Sequence, residues 1–278
     1  MYQCILKLSS LVAFASALAL NPPRPVHQDH HDFPDIKAIM STDTSSFKSY
    51  PASALPRGNH NTNSSETGGV KHWTCNPQAQ FTWGDNAAGG APGIFITNDA
   101  THQGVRGFYV YHNLCDSVPY KYIWIQPGDT RFVSLPALFE GRVSRGVDAW
   151  NLGGMPQILA TWFELALNRE GWAWSDLSLI RGCDGAVVIW AMDGSGAWKG
   201  FSHSILEGAP PEAYARKDSG TVVLRETTNW DRTINPAVRD WELRRVGPDH
   251  AYVDDYHGNP VIASTNGRFA TWWAAGRP

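Results

Sequence analysis

Two carboxylates, Glu164 and Asp176, stand in two neighbouring segments that alternate apolar and polar residues. In the first, Phe163, Leu165 and Leu167 alternate with Glu164, Ala166 and Asn168. In the second, Leu177 and Leu179 alternate with Asp176 and Ser178. A period of two is the pattern of a strand with one apolar and one polar face. The intervening stretch, Arg169 to Trp174, is turn-sized and contains Gly171. An antiparallel pair joined there puts both carboxylates on the polar face. Most strand carboxylates simply face water. The alternative is acid–base chemistry, for which two acids in differing environments take the protonated and the ionised role.

The elements that must carry this pair come from a chain of 278 residues, a length for one or two domains. Hydrophobic residues make up 42% and charged residues 18%, as in an ordinary globular protein. A net charge of -3 speaks against a basic nucleic-acid surface. Thirteen Trp is a high count, and Trp suits both sandwich cores and sugar-stacking platforms. Trp150, Trp162, Trp190 and Trp198 are expected in the core.

Residues 1–19 read as a secretory signal: Lys7 is followed by the apolar or small run Leu8 to Leu20, with Ala17-Leu18-Ala19 as the cleavage site. The run is too short to span a bilayer, so a secreted chain without stable membrane insertion is expected, in the extracellular space or cell wall. Cys4 leaves with the signal, and Cys75, Cys115 and Cys183 remain for one disulfide and one free thiol. Residues 20–69 lack apolar periodicity and hold Pro22, Pro23, Pro25, Pro34, Pro51 and Pro56, the composition of a disordered arm. In this arm His27, His30 and His31 with Asp29 and Asp32 are a solvated polar tract rather than a metal site, and Asn63-Ser64-Ser65 is an N-glycosylation sequon.

Residues 70–278 read as one β domain. Candidate strands are Gly93 to Asn98, Phe108 to Asn113, Tyr120 to Ile125, Thr130 to Leu135, Gly141 to Arg145, the central pair, Ala186 to Ala191 and Gly220 to Thr227. Only Pro236 to Arg245 looks helical, with Val238, Trp241, Leu243 and Val246 toward one side. Many short strands with Gly and Pro turns predict a mainly-β sandwich or barrel with short helical and loop insertions. Phosphate-binding Gly loops, G-x-S-x-G, H-E-x-x-H and C-x-x-C are absent from the sequence, and neither a metal nor an organic cofactor is implied.

Motifs in order along the chain carry a resemblance. Gly154, Pro156 and Glu164-Leu165-Ala166-Leu167-Asn168 are similar to a segment G-x-P-P-x-T-L-A-E-F-T-L-N, and Ser175 to Asp184 to F-D-I-S-L-V-D-G-F-N. Upstream, Phe108 to Cys115, Pro127-Gly128 and Gly141-Arg142-Val143-Ser144-Arg145 follow F-x-F-V-N-N-C, P-G-x-x-W and G-R-x-x-x-R. Downstream, Gly247 to Asp255 and Thr265 to Phe269 follow C-P-D-A-Y-S-Y-A-Y-D-D and T-N-Y-R-V-x-F-C-P. From about Gly107 to its end the chain thus resembles the thaumatin-like proteins, the osmotin and pathogenesis-related family. It departs from them in cysteine content, and Gly247 stands where a cysteine would precede Pro248. The resemblance implies a thaumatin-like β-sandwich held mainly by apolar burial. Cys115 matches the family's first cysteine; with its usual C-terminal partner absent, it is expected to pair with Cys75. Cys183 replaces an aromatic of the motif and is expected to be buried and free.

The resemblance also implies an acidic cleft that binds, and in some members hydrolyses, β-1,3-glucan. Carried over, the cleft's Glu is Glu164, its first Asp is Asp176, and its Arg is Arg142 or Arg145. The family's second Asp falls on Arg181, with Asp184 close by as a substitute. A glycosidase needs one protonated and one ionised carboxyl flanking the bond, and a neighbouring Arg would hold a carboxylate and donate to sugar hydroxyls. A structural Glu164–Arg145 salt bridge is the alternative use of these charges. Trp172 and Trp174 either stack on a sugar ring or cover the sandwich edge. Asp254 and Asp255, matching the family's closing acids, are expected to serve the fold. With one acid lost, a monomer that binds cell-wall β-glucan is favoured over an endo-β-1,3-glucanase using Glu164 and Asp176. A secreted effector or defence protein acting on a protein or membrane is the third reading.

Overall fold

In a computed structural model, residue 40 and residues 73–101, 104–115, 117–147, 151–152 and 159–277 are described. The signal, the proline-rich arm apart from Met40, and Trp150, Gly154 and Pro156 lie outside the described residues, so the arm's histidines and Asn63 do as well.

Fourteen strands are described: β1 Gln80–Phe81, β2 Gly93–Asn98, β3 Arg106–His112, β4 Lys121–Ile125, β5 Thr130–Ser134, β6 Glu140–Gly146, β7 Trp162–Leu167, β8 Ala173–Ser178, β9 Gly185–Ala191, β10 Trp198–Gly200, β11 Tyr214–Arg216, β12 Val222–Leu224, β13 Ile262–Ser264 and β14 Arg268–Gly276. One sheet has the order β1-β4-β3-β6-β7-β8-β13, a second β10-β9-β14-β2-β5, and β11 pairs with β12 apart from both. The two large sheets pack face to face. Phe108 of the first meets Trp273 of the second with ring centroids 5.4 Å apart, and Phe163 meets Phe269 at 6.1 Å. The mainly-β sandwich read from the strand pattern is the observed architecture.

Side-chain alternation explains which face is which. Phe163, Leu165 and Leu167 of β7 are buried in the core, while Trp162, Glu164 and Ala166 remain partly exposed on the outer face. On β8, Ala173, Ser175 and Leu177 turn inward, and Trp174 and Asp176 share the outer face with Glu164. The second sheet reads differently because both its faces are covered. All seven residues of β9 are buried, as are Phe269 to Ala274 of β14. The short strand expected over Gly220 to Thr227 is confined to β12, which turns back on β11 through Lys217 and Gly220.

The first disulfide expectation holds: Cys75 is joined to Cys115, and Cys183 is free and buried. Burial first, then the charge of Glu242, pushes the Cys183 thiol up to about 12, so it is a packing residue rather than a nucleophile.

The helix α1, Pro236–Arg245, occupies the expected residues, with Pro at its start, where a missing N–H costs nothing, and Arg244 and Arg245 in its last turn. Its buried face differs from the expected one. Val238, Glu242 and Val246, spaced four apart, are buried, whereas Trp241 and Leu243 keep partial exposure. Both carboxyl oxygens of Glu242 are buried with no hydrogen-bond partner, and burial holds its pKa well above the usual carboxyl range. A buried polar group without a partner costs about 1–3 kcal/mol. Glu242→Leu should therefore raise the unfolding free energy by about that amount in urea titrations. The sign with pH follows from the raised folded-state value. Protonation favours the native state, so the Glu242 contribution is intact below the ordinary carboxyl value and is lost as pH rises through the raised one. The advantage of the variant should widen as pH rises from the ordinary carboxyl value toward the raised one; a variant less stable than the parent throughout would refute the assignment.

Candidate functional site

Neighbouring-strand register builds the site. Tyr111 of β3 pairs with Arg142 of β6, Arg142 with Glu164 of β7, and Glu164 with Asp176 of β8. These four side chains form one row across the outer face of the first sheet. Directly opposed residues in antiparallel strands have Cβ atoms about 4.5–5.5 Å apart. The two carboxyl groups are thus immediate neighbours, with a guanidinium on one side of them.

Arg142 is held rigidly. It is 4% exposed, and its guanidinium carbon lies 4.9 Å from the Tyr111 ring centroid and 4.3 Å from that of Trp162. Aromatic faces attract the cation and exclude water from it. The Tyr111 ring is fixed in turn, since Asn151 Nδ2 donates to its hydroxyl at 3.0 Å.

Both acids are partly exposed by surface area, yet the surrounding protein removes most of their hydration. Burial raises the Glu164 pKa above the usual carboxyl value. Arg142, the Ser178 hydroxyl and Arg181 oppose that shift, and the charge of Asp255 adds to it. Asp176 is raised further, by burial and then by the charge of Glu164. The cause of the asymmetry is plain: Glu164 has cations beside it and Asp176 has an anion. Of these two adjacent carboxyls, Asp176 is the one that holds a proton more readily. Asp176 Oδ1 is buried without a hydrogen-bond partner. One neutral and one ionised carboxyl side by side can accept from and donate to the hydroxyls of a neutral polyol.

The remaining expected site residues divide. Trp174 lies on the same outer face as Asp176, two residues back along β8. Trp172 sits in the tight turn between β7 and β8, 46% exposed, its N–H donating to Asn168 Oδ1 at 2.8 Å. Of the two candidate arginines, Arg142 joins the acids. Arg145 does not, and the expected alternative of a Glu164–Arg145 salt bridge is replaced by one with Asp184.

Arg145 and Asp184 are fully enclosed. Arg145 Nε lies 3.2 Å from Asp184 Oδ1, Arg145 Nη1 donates to Ala274 O at 2.6 Å, and Lys217 Nζ lies 2.9 Å from Asp184 Oδ2. Arg145 is one residue out of phase with Arg142's face, so it points between the sheets. Gly185 and Gly276 make room for it: a Cβ at either would lie 2.6 or 2.5 Å from its guanidinium nitrogens. These two charges, expected to bind sugar, serve the interior instead.

Three residues that the sequence did not assign to the site frame the row. Leaving β8, the chain pairs with Tyr252: Tyr252 N–H donates to Leu177 O at 2.7 Å and Leu179 N–H to Tyr252 O at 2.8 Å. This brings Asp255 to the end of the row, where it acts on Glu164, while Asp254 accepts the backbone N–H groups of Tyr256 and His257 and remains a turn residue. Trp162, expected in the core, lies on the outer face against Arg142. Arg181 faces Glu164 from beyond Ser178. Parity along β7 was the one signal that could have placed Trp162, since it shares the register of Glu164.

No protein-family model and no curated protein matches this chain. No group of three or more potential metal ligands occurs among the described residues, and among them no helix is long and apolar enough to cross a membrane.

Proposed function

We propose that this chain is a secreted, thaumatin-like β-sandwich protein that binds cell-wall β-1,3-glucan, as a monomer, on the outer face of its seven-stranded sheet. The observation that carries this reading is the in-register row Arg142, Glu164 and Asp176, bordered by Trp162 and Trp174. A charged, hydrogen-bonding centre beside aromatic faces matches a sugar, which presents hydroxyls at its edge and C–H groups on its faces. The apolar segment before Ala17-Leu18-Ala19 and the sequon at Asn63 support export and glycosylation.

Hydrolysis is the second reading, and the unequal proton affinities of Asp176 and Glu164, both raised but Asp176 the more, favour it: glycoside cleavage uses one carboxyl that holds its proton more tightly than the other.

The test is retention of the purified protein on insoluble β-1,3-glucan, chitin and cellulose, with reducing sugar assayed in the same tubes. Selective retention on β-1,3-glucan without sugar release supports the binding reading, and Glu164→Gln should then weaken binding on the order of tenfold, the effect of removing one charged hydrogen-bond acceptor. Sugar release that Glu164→Gln removes would make the protein a hydrolase. Retention on none of the three would end the carbohydrate reading and turn the search to a protein partner.

A further inference from the structure

We propose that Trp230 is a sugar-stacking platform at the rim of the acidic row, built by Arg181, and that it takes a pyranose ring of the same glucan chain. The inference rests on the carbohydrate reading and extends it to a residue outside the row.

Trp230 is 54% exposed, a large fraction for so apolar a side chain. One of its faces is occupied: the Arg181 guanidinium carbon lies 3.9 Å from the ring centroid. A ring covered closely on one side and still half exposed presents its other face to solvent. The guanidinium is itself fixed, because Arg181 Nη1 donates to Thr228 O at 2.9 Å. The same cation acts on Glu164, which connects the platform to the row.

The hairpin that carries Trp230 is braced. Thr228 and Ile234 form a β-bridge, Asn229 N–H donates to Thr233 O at 2.9 Å, and Asn235 N–H donates to Thr227 O at 2.7 Å. Asn235 Nδ2 donates to Asn229 Oδ1 at 2.9 Å and to Glu226 O at 2.8 Å, and Asp231 Oδ1 accepts from the Thr233 hydroxyl at 2.6 Å. Thr227 N–H donates to Ile180 O at 3.1 Å, so the hairpin is docked where the chain has just left β8. An aromatic face held in place before binding loses little entropy when a ring stacks on it.

The chemistry selects the occupant. An indole face backed by the Arg181 guanidinium suits the C–H face of a neutral sugar with hydroxyls at its edge. An apolar protein segment would instead need a contiguous apolar patch, and the residues bracketing Trp230, from Asn229 to Thr233, are polar.

Calorimetric titration with a β-1,3-linked glucose hexamer tests this. Wild type and Glu164→Gln report on the row; Trp230→Ala and Trp230→Phe report on the platform. The expected result is that Trp230→Ala weakens binding on the order of tenfold, the scale of an aromatic stacking contribution, while Trp230→Phe retains most of it and both variants melt with the parent. Binding by wild type with an unchanged Trp230→Ala affinity would overturn the platform and leave the glucan reading standing. No binding by wild type would overturn the glucan reading, and the platform with it.

Discussion

Asp184→Ala should lower the unfolding free energy by about 3–5 kcal/mol, the cost of removing one partner from a buried ion pair. Asp184 lies between two enclosed cations, Arg145 and Lys217. Its Oδ1 accepts from Arg145 Nε at 3.2 Å and from Thr161 N–H at 3.2 Å, and its Oδ2 from Lys217 Nζ at 2.9 Å. Without it, two positive side chains remain in the interior. Lys217 can respond by losing its proton, since burial already lowers its pKa and Asp184 is what chiefly opposes that shift. Arg145 cannot, because a guanidinium stays charged at any accessible pH. The double variant Asp184→Ala/Lys217→Met should therefore recover only part of the loss. Urea unfolding at pH 7 gives both numbers.

The pH dependence has a definite sign. Burial alone would raise the Asp184 pKa, but Lys217 and Arg145 prevail and hold it below the usual carboxylate range. Its stabilisation is present above the ordinary value near 4 and is lost as pH falls through the depressed one, the reverse of Glu242. In the variant this acid-side loss should be reduced. A loss under 1 kcal/mol at pH 7 would mean that the three charges do not act as a unit.

Removing the Cys75–Cys115 disulfide, by Cys75→Ala/Cys115→Ala, should cost about 4 kcal/mol. The two cysteines are 40 residues apart, and closing a loop of that length in the unfolded chain accounts for roughly that much in the chain-entropy description. The structural consequence is local. The bridge pins the segment before β1 against the main sheet, where Trp73 stacks on His112 with centroids 3.8 Å apart and meets Tyr120 and Phe139 edge-on. Burial there brings the His112 pKa down to about 4. Once the segment is released, His112 should titrate nearer its ordinary value of 6.5. Chemical-shift titration of the imidazole follows this directly. An unchanged His112 titration together with unchanged urea stability would sink the prediction.

Much of the fold is legible in local patterning because strand alternation and turn residues are local. Gly93 to Asn98 is β2 residue for residue, and Pro236 to Arg245 is α1. Strands of two or three residues, such as β1, β10, β11 and β13, carry too few positions for a period to register. β14 escaped notice for another reason: it lies between β9 and β2 with Phe269 to Ala274 buried, so its residues do not alternate.

The candidate site divides in the same way. From the sequence came the placement of Glu164 and Asp176 on one polar face of an antiparallel pair, through alternation and a short turn; that they are register partners came from the structure. From the residues alone came only one disulfide and one free thiol; that Cys75 pairs with Cys115 was what the resemblance of Cys115 to a family cysteine implied. Which arginine meets the acids was decided only by tertiary structure. Arg142 and Arg145 differ by an odd number of residues, so one faces outward beside Glu164 and the other lies between the sheets with Asp184 and Lys217. Spacing to a distant motif could not settle that, because register across β6 and β7 is fixed by which face must be dry. Glu242 and Trp230 are beyond sequence reasoning for the same physical cause. Whether a carboxyl is enclosed without a partner, or an indole backed by a guanidinium, depends on what packs against it, and those neighbours come from segments far away in the chain.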